Sequence, residues 1–304
     1  MGVEPSYPRN QREFDALVAS EETCQQYLAR IRWPEGFVCP ACGQVGGWRV
    51  RARWQECRSC GKQTSVTAGT LFHDTRSPLR LWFQAIWYVT GEKHGASALG
   101  LQRVLGLGSY HTAWAWLHRL RRAMVRPGRE RLRGTVQVDE TFWGGERPGR
   151  RGRGAQGKST ILVAVEHTGK RVGRVRLVRI EDMRAKTLVE TLHALVEPGS
   201  VVETDGLSVY QTLAKAGYQH AILRAASREE LLPQVHLVVS LLKRWLLGTH
   251  QGAVRASHLD YYLDEFTFRF NRRTSHSRGL LFRRVLEHAV LVPPLREADL
   301  QAPR

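Results

Sequence analysis

Residues 135–142 read TVQVDETF, and the same short β-branched idiom returns at 159–167 (STILVAVEH), 174–182 (RVRLVRIED) and 200–205 (SVVETD). Between the last two runs lies AKTLVETLHALV (185–196), an amphipathic helical pattern stopped by Pro198 and Gly199. A further helix is expected over LSVYQTLAKAG (207–217), and two longer helical patterns, 233–247 and 257–271, follow. Three strands in succession, then helix, strand and helices, is an α/β order with a partly antiparallel sheet. These runs begin near residue 134, where the main domain boundary is drawn.

Upstream of that boundary the chain is helical and then cysteine-bearing. Residues 78–125 read as helix opening at Pro78, with Gly106-Leu107-Gly108-Ser109 as a break of the kind found in a helix-turn-helix. Ser109 is the expected N-cap of the second helix, which carries Arg119, Arg121 and Arg122 as candidate DNA contacts. The plainer alternative is a helical hairpin with Trp114 and Trp116 in its core. Residues 11–33 read as a helix with Ser20 as a plausible cap and Pro34 as its stop.

The 304 residues are 42% hydrophobic, which excludes a largely disordered chain, and carry a formal net charge of +18. Such an excess points to a polyanion, nucleic acid first. No apolar run is long enough to span a membrane and no signal-peptide core opens the chain, so a cytoplasmic, nucleoid-associated setting is expected.

Cys39-Pro-Ala-Cys42 and Cys57-Arg-Ser-Cys60 each precede a glycine, Gly43 and Gly61. Two such knuckles supply four thiolates, the donor set of one closed structural zinc site; the competing reading is two redox pairs. Arg49, Arg51, Arg53, Arg58 and Lys62 surround them, as in a small DNA-contacting ribbon or simply a solvated basic surface. Cys24, alone on the first helix, reads as a buried small hydrophobe.

Two carboxylates stand where strand-like runs end: Asp139, followed by Glu140, and Asp205, followed by Gly206. Neighbouring strand ends of this kind can hold Mg²⁺, and two ions about 3.5–4 Å apart clamp both oxygens of a phosphodiester displacement. Turn chemistry is the ordinary explanation for either residue alone. In 233–247, His236, Ser240 and Lys243 share one helical face. Glu140 points to the face opposite Asp139 and is read as support.

Taken together, RWPEGFVCPACG (32–43), CRSCGKQTSVTAGTLF (57–72), VDETFWGG (138–145), ETDG (203–206), LLKRWLLGTHQGA (241–253) and LDYYLDEFTFRFNRR (259–273) carry a resemblance. From about Phe14 to Arg273 the chain resembles bacterial insertion-sequence transposases of the DDE type, the group with an N-terminal zinc ribbon and a ribonuclease-H-like catalytic domain. The resemblance implies a ribonuclease-H-like mixed sheet flanked by helices, preceded by a small zinc ribbon and a helix-turn-helix-like region. It implies an N-terminal helical segment at 1–35, the ribbon at 36–75, DNA-binding helices at 76–133, the catalytic domain at 134–290 and a tail at 291–304.

On the same resemblance, Asp139 and Asp205 are metal-binding acids for two catalytic Mg²⁺ or Mn²⁺ ions, beside one structural Zn²⁺. Lys243 is the basic residue after the third ligand, whose position, Glu in many relatives, is His236 here. Arg150, Arg151 and Arg153 are placed to grip DNA backbone. The implied partners are double-stranded DNA, at element ends and target, and further copies of the chain on that DNA. The implied activity is metal-dependent strand cleavage and strand transfer. The alternative is a DNA-binding relative that kept the fold and lost the chemistry, favoured by the imidazole at 236 and by Leu241 where a polar residue is expected; a third reading is a plain zinc-ribbon nuclease that cuts RNA or DNA but never joins.

Overall fold

Strand β4 (Thr135–Trp143) forms the centre of a five-stranded sheet in the order β6-β5-β4-β7-β8, with β5 at Ser159–Thr168, β6 at Arg171–Ile180, β7 at Val201–Thr204 and β8 at Gln219–Ile222. The computed structural model describes residues 7–51, 53–126, 128–144, 158–224 and 231–301. The chain divides into two units, Met1–Arg126 with Ser275–Leu300, and Pro127–Thr274 with Gln301–Arg304.

In the second unit β4 pairs antiparallel with β5 and β5 with β6, while β7 joins β4, and β8 joins β7, in parallel. This mixed sheet is the ribonuclease-H-like arrangement that the resemblance implies. Both faces are covered, and the alternation of side chains decides which cover each one meets. Val136, Val138, Leu162, Ala164 and Val202 face Leu188 and Leu192 of helix α6 (Ala185–Leu195) together with Tyr210 and Leu213. Ile161, Val163, Val175 and Leu177 face the other cover, Val235, Val238, Leu242 and Leu246 of one helix and Leu263, Phe266 and Phe270 of the next. These last two helices are Pro233–Gly248 and Leu259–Asn271, α7 and α8 here. The helix expected at 207–217 shrinks to a short 3-10 turn, Ser208–Leu213.

In the first unit the helix expected over 11–33 is two, α1 (Gln11–Leu17) and α2 (Glu21–Arg32). The break comes from Ser20: its hydroxyl accepts the Thr23 N–H at 3.1 Å while Thr23 Oγ1 accepts the Ser20 N–H, a capping box that restarts the helix. The ribbon follows, with β1 (Gly47–Arg51), β2 (Trp54–Cys57) and β3 (Gln63–Ser65) in one antiparallel sheet. Helices α3 (Leu79–Gly91), α4 (Ala98–Leu105) and α5 (Tyr110–Ala123) come next. Gly106 closes α4 in the left-handed region (φ 63°), and the Ser109 side chain caps α5 by accepting the Thr112 N–H.

One boundary differs from the sequence expectation. Residues 278–289, expected inside the catalytic domain, form α9 (Arg278–Ala289) and pack in the first unit. Phe282 on this helix is fully buried, with the rings of Phe14, Phe83 and Trp87 at 5.5, 5.6 and 5.8 Å. A ring of that size inside an aromatic cage outweighs sequence proximity to α8. Among the described residues no helix is long and apolar enough to cross a membrane.

Candidate functional site

Three groups of sequence-marked residues can now be placed: the cysteines, the arginines of the helical segment and the acids of the sheet. In the ribbon, each C-x-x-C turn closes in the same way. The Gly43 N–H donates to the Cys39 carbonyl at 2.9 Å and the Gly61 N–H to the Cys57 carbonyl at 3.0 Å, with both glycines left-handed (φ 73° and 68°). The two turns aim their sulfurs at one point. Cys39 Sγ lies 3.6 Å from Cys60 Sγ, and Cys42 Sγ 3.6 Å from Cys57 Sγ. Tetrahedral zinc with bonds of about 2.3 Å sets its sulfurs about 3.8 Å apart, so the four donors fit the ion. Backbone N–H groups, from Cys42 on Cys39 and from Cys60 on Cys57, pull both thiols below their ordinary range, towards the thiolates that zinc binds. Cys24 is not part of this set: it is buried, and burial pushes its thiol up to about 12.

The helical arginines are less available than their charge suggests. Arg121 is 2% exposed, because it lies on the same side of α5 as the buried Leu117 and Leu120; this candidate DNA contact is withdrawn from the surface. Arg119 is half-buried and donates to the Leu295 carbonyl at 3.3 Å, and burial lowers its pKa. Arg122 is half-buried as well. Arg150, Arg151 and Arg153 lie outside the described residues.

The acids of the sheet meet through register. Gln137 of β4 pairs with Glu203 of β7 in the parallel ladder; Asp205 follows the last residue of β7, and its charge reaches Asp139. All four belong to the face covered by α7, since Val136 and Val138 take the opposite one. Neighbouring strands are about 4.8 Å apart, so two carboxylates share one end of the sheet. Asp205 Oδ1 accepts the Leu207 N–H at 3.1 Å, an Asx turn that fixes the side chain as the strand ends. Gly206 is required there twice over, by φ 80° and because a Cβ would come within 2.6 Å of Ile222.

Asp139 is 4% exposed. Burial, then the adjacent Glu140, then Asp205 push its carboxyl up to about 7, against the Glu140 backbone N–H, which donates to Asp139 Oδ1 at 2.8 Å. A carboxyl poised this way gains from a cation that replaces its proton. Glu140 lies on the other face, where its Oε2 accepts the Tyr210 hydroxyl at 3.1 Å.

Below the pair sits a polar layer that the sequence reading did not mark. Glu203 Oε2 accepts Gln137 Nε2–H at 3.1 Å and meets His167 Nε2 at 3.0 Å. The Gln137 carbonyl in turn accepts the Gln234 N–H at 3.2 Å, tying the start of α7 to the central strand. Period-two spacing was the available signal: Glu203 and Gln137 precede Asp205 and Asp139 by two residues and so share their face.

Helix α7 brings His236 half-buried and Ser240 and Lys243 exposed. Among the described residues, the four cysteines are the one group of three or more Cys, His, Asp or Glu whose ligand atoms lie within 4.8 Å of one another. Asp139, Asp205 and His236 are not gathered that closely.

Residues 131–271 match the ISXO2-like transposase domain and residues 19–63 match the transposase zinc-ribbon domain. The chain is 29% identical over 286 residues to an uncharacterized protein in transposable element ISH50 of Halobacterium salinarum, covering 82% of this chain and 90% of that protein. Among solved structures it is similar to a chain of the simian T-cell lymphotropic virus intasome in complex with the PP2A regulatory subunit B56 gamma. That likeness has a TM-score of 0.33 and 16% identity, over 70% of this chain and 76% of that one. A chain of the pre-cleavage Mos1 transpososome gives 0.28 and 14%, over 71% and 80%.

Proposed function

We propose, for a chain that belongs to the insertion-sequence transposases with an ISXO2-like domain and a zinc ribbon, that it binds the ends of its element and catalyses DNA cleavage and strand transfer. The observation that carries this reading is the approach of Asp205, which directly follows β7, to Asp139 on the parallel neighbour β4, close enough for its charge to raise the Asp139 carboxyl. Mg²⁺ or Mn²⁺, when bound there, supplies charge neutralisation for a phosphodiester displacement.

The chain's own residues then divide the work. Asp139 and Asp205 would hold the ions, which would supply charge neutralisation at the phosphate. His236 is the candidate third donor, and Lys243, exposed on the same helix, holds substrate phosphate. In the first step water attacks the phosphorus at the element end and the bond to the 3′ oxygen breaks, leaving a 3′-hydroxyl. In the second that hydroxyl attacks a target phosphodiester, forming one P–O bond and releasing a target 3′-hydroxyl. Double-stranded DNA is the substrate in both steps, and two bound ends call for more than one copy of the chain.

A second reading, a DNA-binding relative without the chemistry, is favoured by an imidazole, in place of a carboxylate, at position 236. Incubating linear DNA that carries the gene's flanking sequence with the protein and Mg²⁺ or Mn²⁺ separates the two. Nicking at the element end that disappears in Asp139→Asn supports the transposase; specific binding without nicking supports the relative.

A further inference from the structure

Helix α2 and the zinc ribbon, which together make up the matched zinc-ribbon region 19–63, enclose a cleft that metal binding does not explain. Gln25, Arg30, Arg49, Arg53 and Gln55 line a half-open space of about 350 Å³. It continues into a second lobe of about 230 Å³ that shares Gln25, Arg53 and Val66 and adds Arg76. A volume near 350 Å³ falls within the range of small-molecule sites and suits one nucleotide.

The donors and acceptors of this cleft are segregated. Arg30, Arg49 and Arg53 are exposed at its rim, and no carboxylate lines the larger lobe. Glu21, which lines the smaller lobe, is already engaged: its two carboxylate oxygens accept the Leu79 and Arg80 N–H groups. Arg49 is held in place by Glu22 at 2.7 Å. The floor is the reverse of the rim. Gln25 is 9% exposed and its side-chain carbonyl Oε1, buried, has no hydrogen-bond partner. A buried acceptor left unpaired is destabilising, so the site is built to receive a donor.

A ligand that answers both ends carries an anion for the rim and an N–H for the floor. An unpaired nucleotide does so: the phosphate meets the arginines and a base N–H meets Gln25. A base-paired residue in duplex DNA cannot enter, because its partner strand is too bulky for the concavity. We propose that this cleft holds one unpaired nucleotide of a DNA strand. The inference rests on the DNA-binding reading above and names a strand contact within it.

The test uses the full-length, zinc-loaded protein and the gene's flanking DNA in two forms, fully paired and with a short unpaired adenine overhang at the element end. The overhang is expected to tighten binding about tenfold, the size of one good polar contact. Gln25→Leu, which removes the orphaned acceptor without shrinking the side chain, abolishes the preference while leaving binding of the paired duplex within about threefold, and Arg53→Gln cuts the gain from the overhang at least about threefold. Equal affinity for both forms overturns the proposal, as does a preference that survives both variants. Free dAMP that competes as tightly as the overhang overturns the assignment to a DNA strand. Failure of the unmodified protein to bind either form overturns the transposase reading, and this one with it.

Discussion

Asp139→Asn should stabilise the cation-free sheet unit, and the gain should grow with pH. Asp139 is 4% exposed, and burial, with Glu140 adding to it, raises its carboxyl from 3.8 to about 7. Each pK unit is worth about 1.4 kcal/mol, so three units set a ceiling of about 4 kcal/mol; sharing of the effect with Glu140 brings the expected gain to roughly 2 kcal/mol. The sign follows from the proton count. Below about pH 4 both folded and unfolded states keep the proton, and the side chain makes no pH-dependent contribution. Between 4 and 7 the unfolded chain releases the proton while the folded one holds it, so the unmodified protein loses stability as pH rises. Above about 7 the loss is complete.

Asparagine does not titrate. Its advantage should be near zero at pH 4 and fully developed at pH 8. Hydrogen-exchange protection of the peptides covering 135–143 and 159–168, with zinc retained and no other divalent ion added, measures that unit separately from the ribbon. Adding Mg²⁺ at pH 8 should then protect the unmodified protein more than the variant. A variant less stable than the parent at pH 8, or a difference that stays constant from pH 4 to 8, would refute the argument that Asp139 is held in an unfavourable state for a cation.

Three other perturbations follow from the same structure. Removing zinc with a chelator should abolish exchange protection across 37–65 while strands β4 and β5 keep theirs, because the ribbon's buried cluster is no more than Phe37, Cys39 and Cys57 with Trp33 against it. Gly279→Ala should destabilise the first unit by about 2 kcal/mol or more, since a Cβ there would collide with the Pro8 carbonyl oxygen; a lower melting temperature in differential scanning calorimetry checks it. Tyr210→Phe should cost about 1–3 kcal/mol in urea unfolding, because the buried Glu140 loses the hydroxyl that donates to it at 3.1 Å.

Much of this was legible because it is local chemistry. The C-x-x-C spacing carries its own geometry, and Ser109 and Ser20 act as caps because a hydroxyl beside a helix start has few other uses. Strands β4 to β7 announce themselves through β-branched runs, whereas β8 (QHAI) carries no such signal and was not expected; Asp139 and Asp205 stand out as acids within and just after such runs. What stayed hidden was long-range. Nothing in the sequence near Phe282 says that its cage is made by Phe14, Phe83 and Trp87, so α9 read as part of the wrong unit. Arg121 looked like a surface charge because a sequence shows charge and not which side of a helix is covered. Glu203 and Gln137 become visible only once the parallel pairing of β4 with β7 is known, since register, not composition, sets them beneath the acid pair.

The most direct measurement is a strand-transfer assay with the gene's flanking DNA as donor, a supercoiled plasmid as target and Mg²⁺ or Mn²⁺, run for the unmodified protein, Asp205→Asn and His236→Ala. The account predicts joined products from the unmodified protein, none from Asp205→Asn, and a yield from His236→Ala reduced at least tenfold if the histidine is the third donor. Specific binding of the flanking DNA by the unmodified protein, with neither cutting nor joining in either metal, would contradict it.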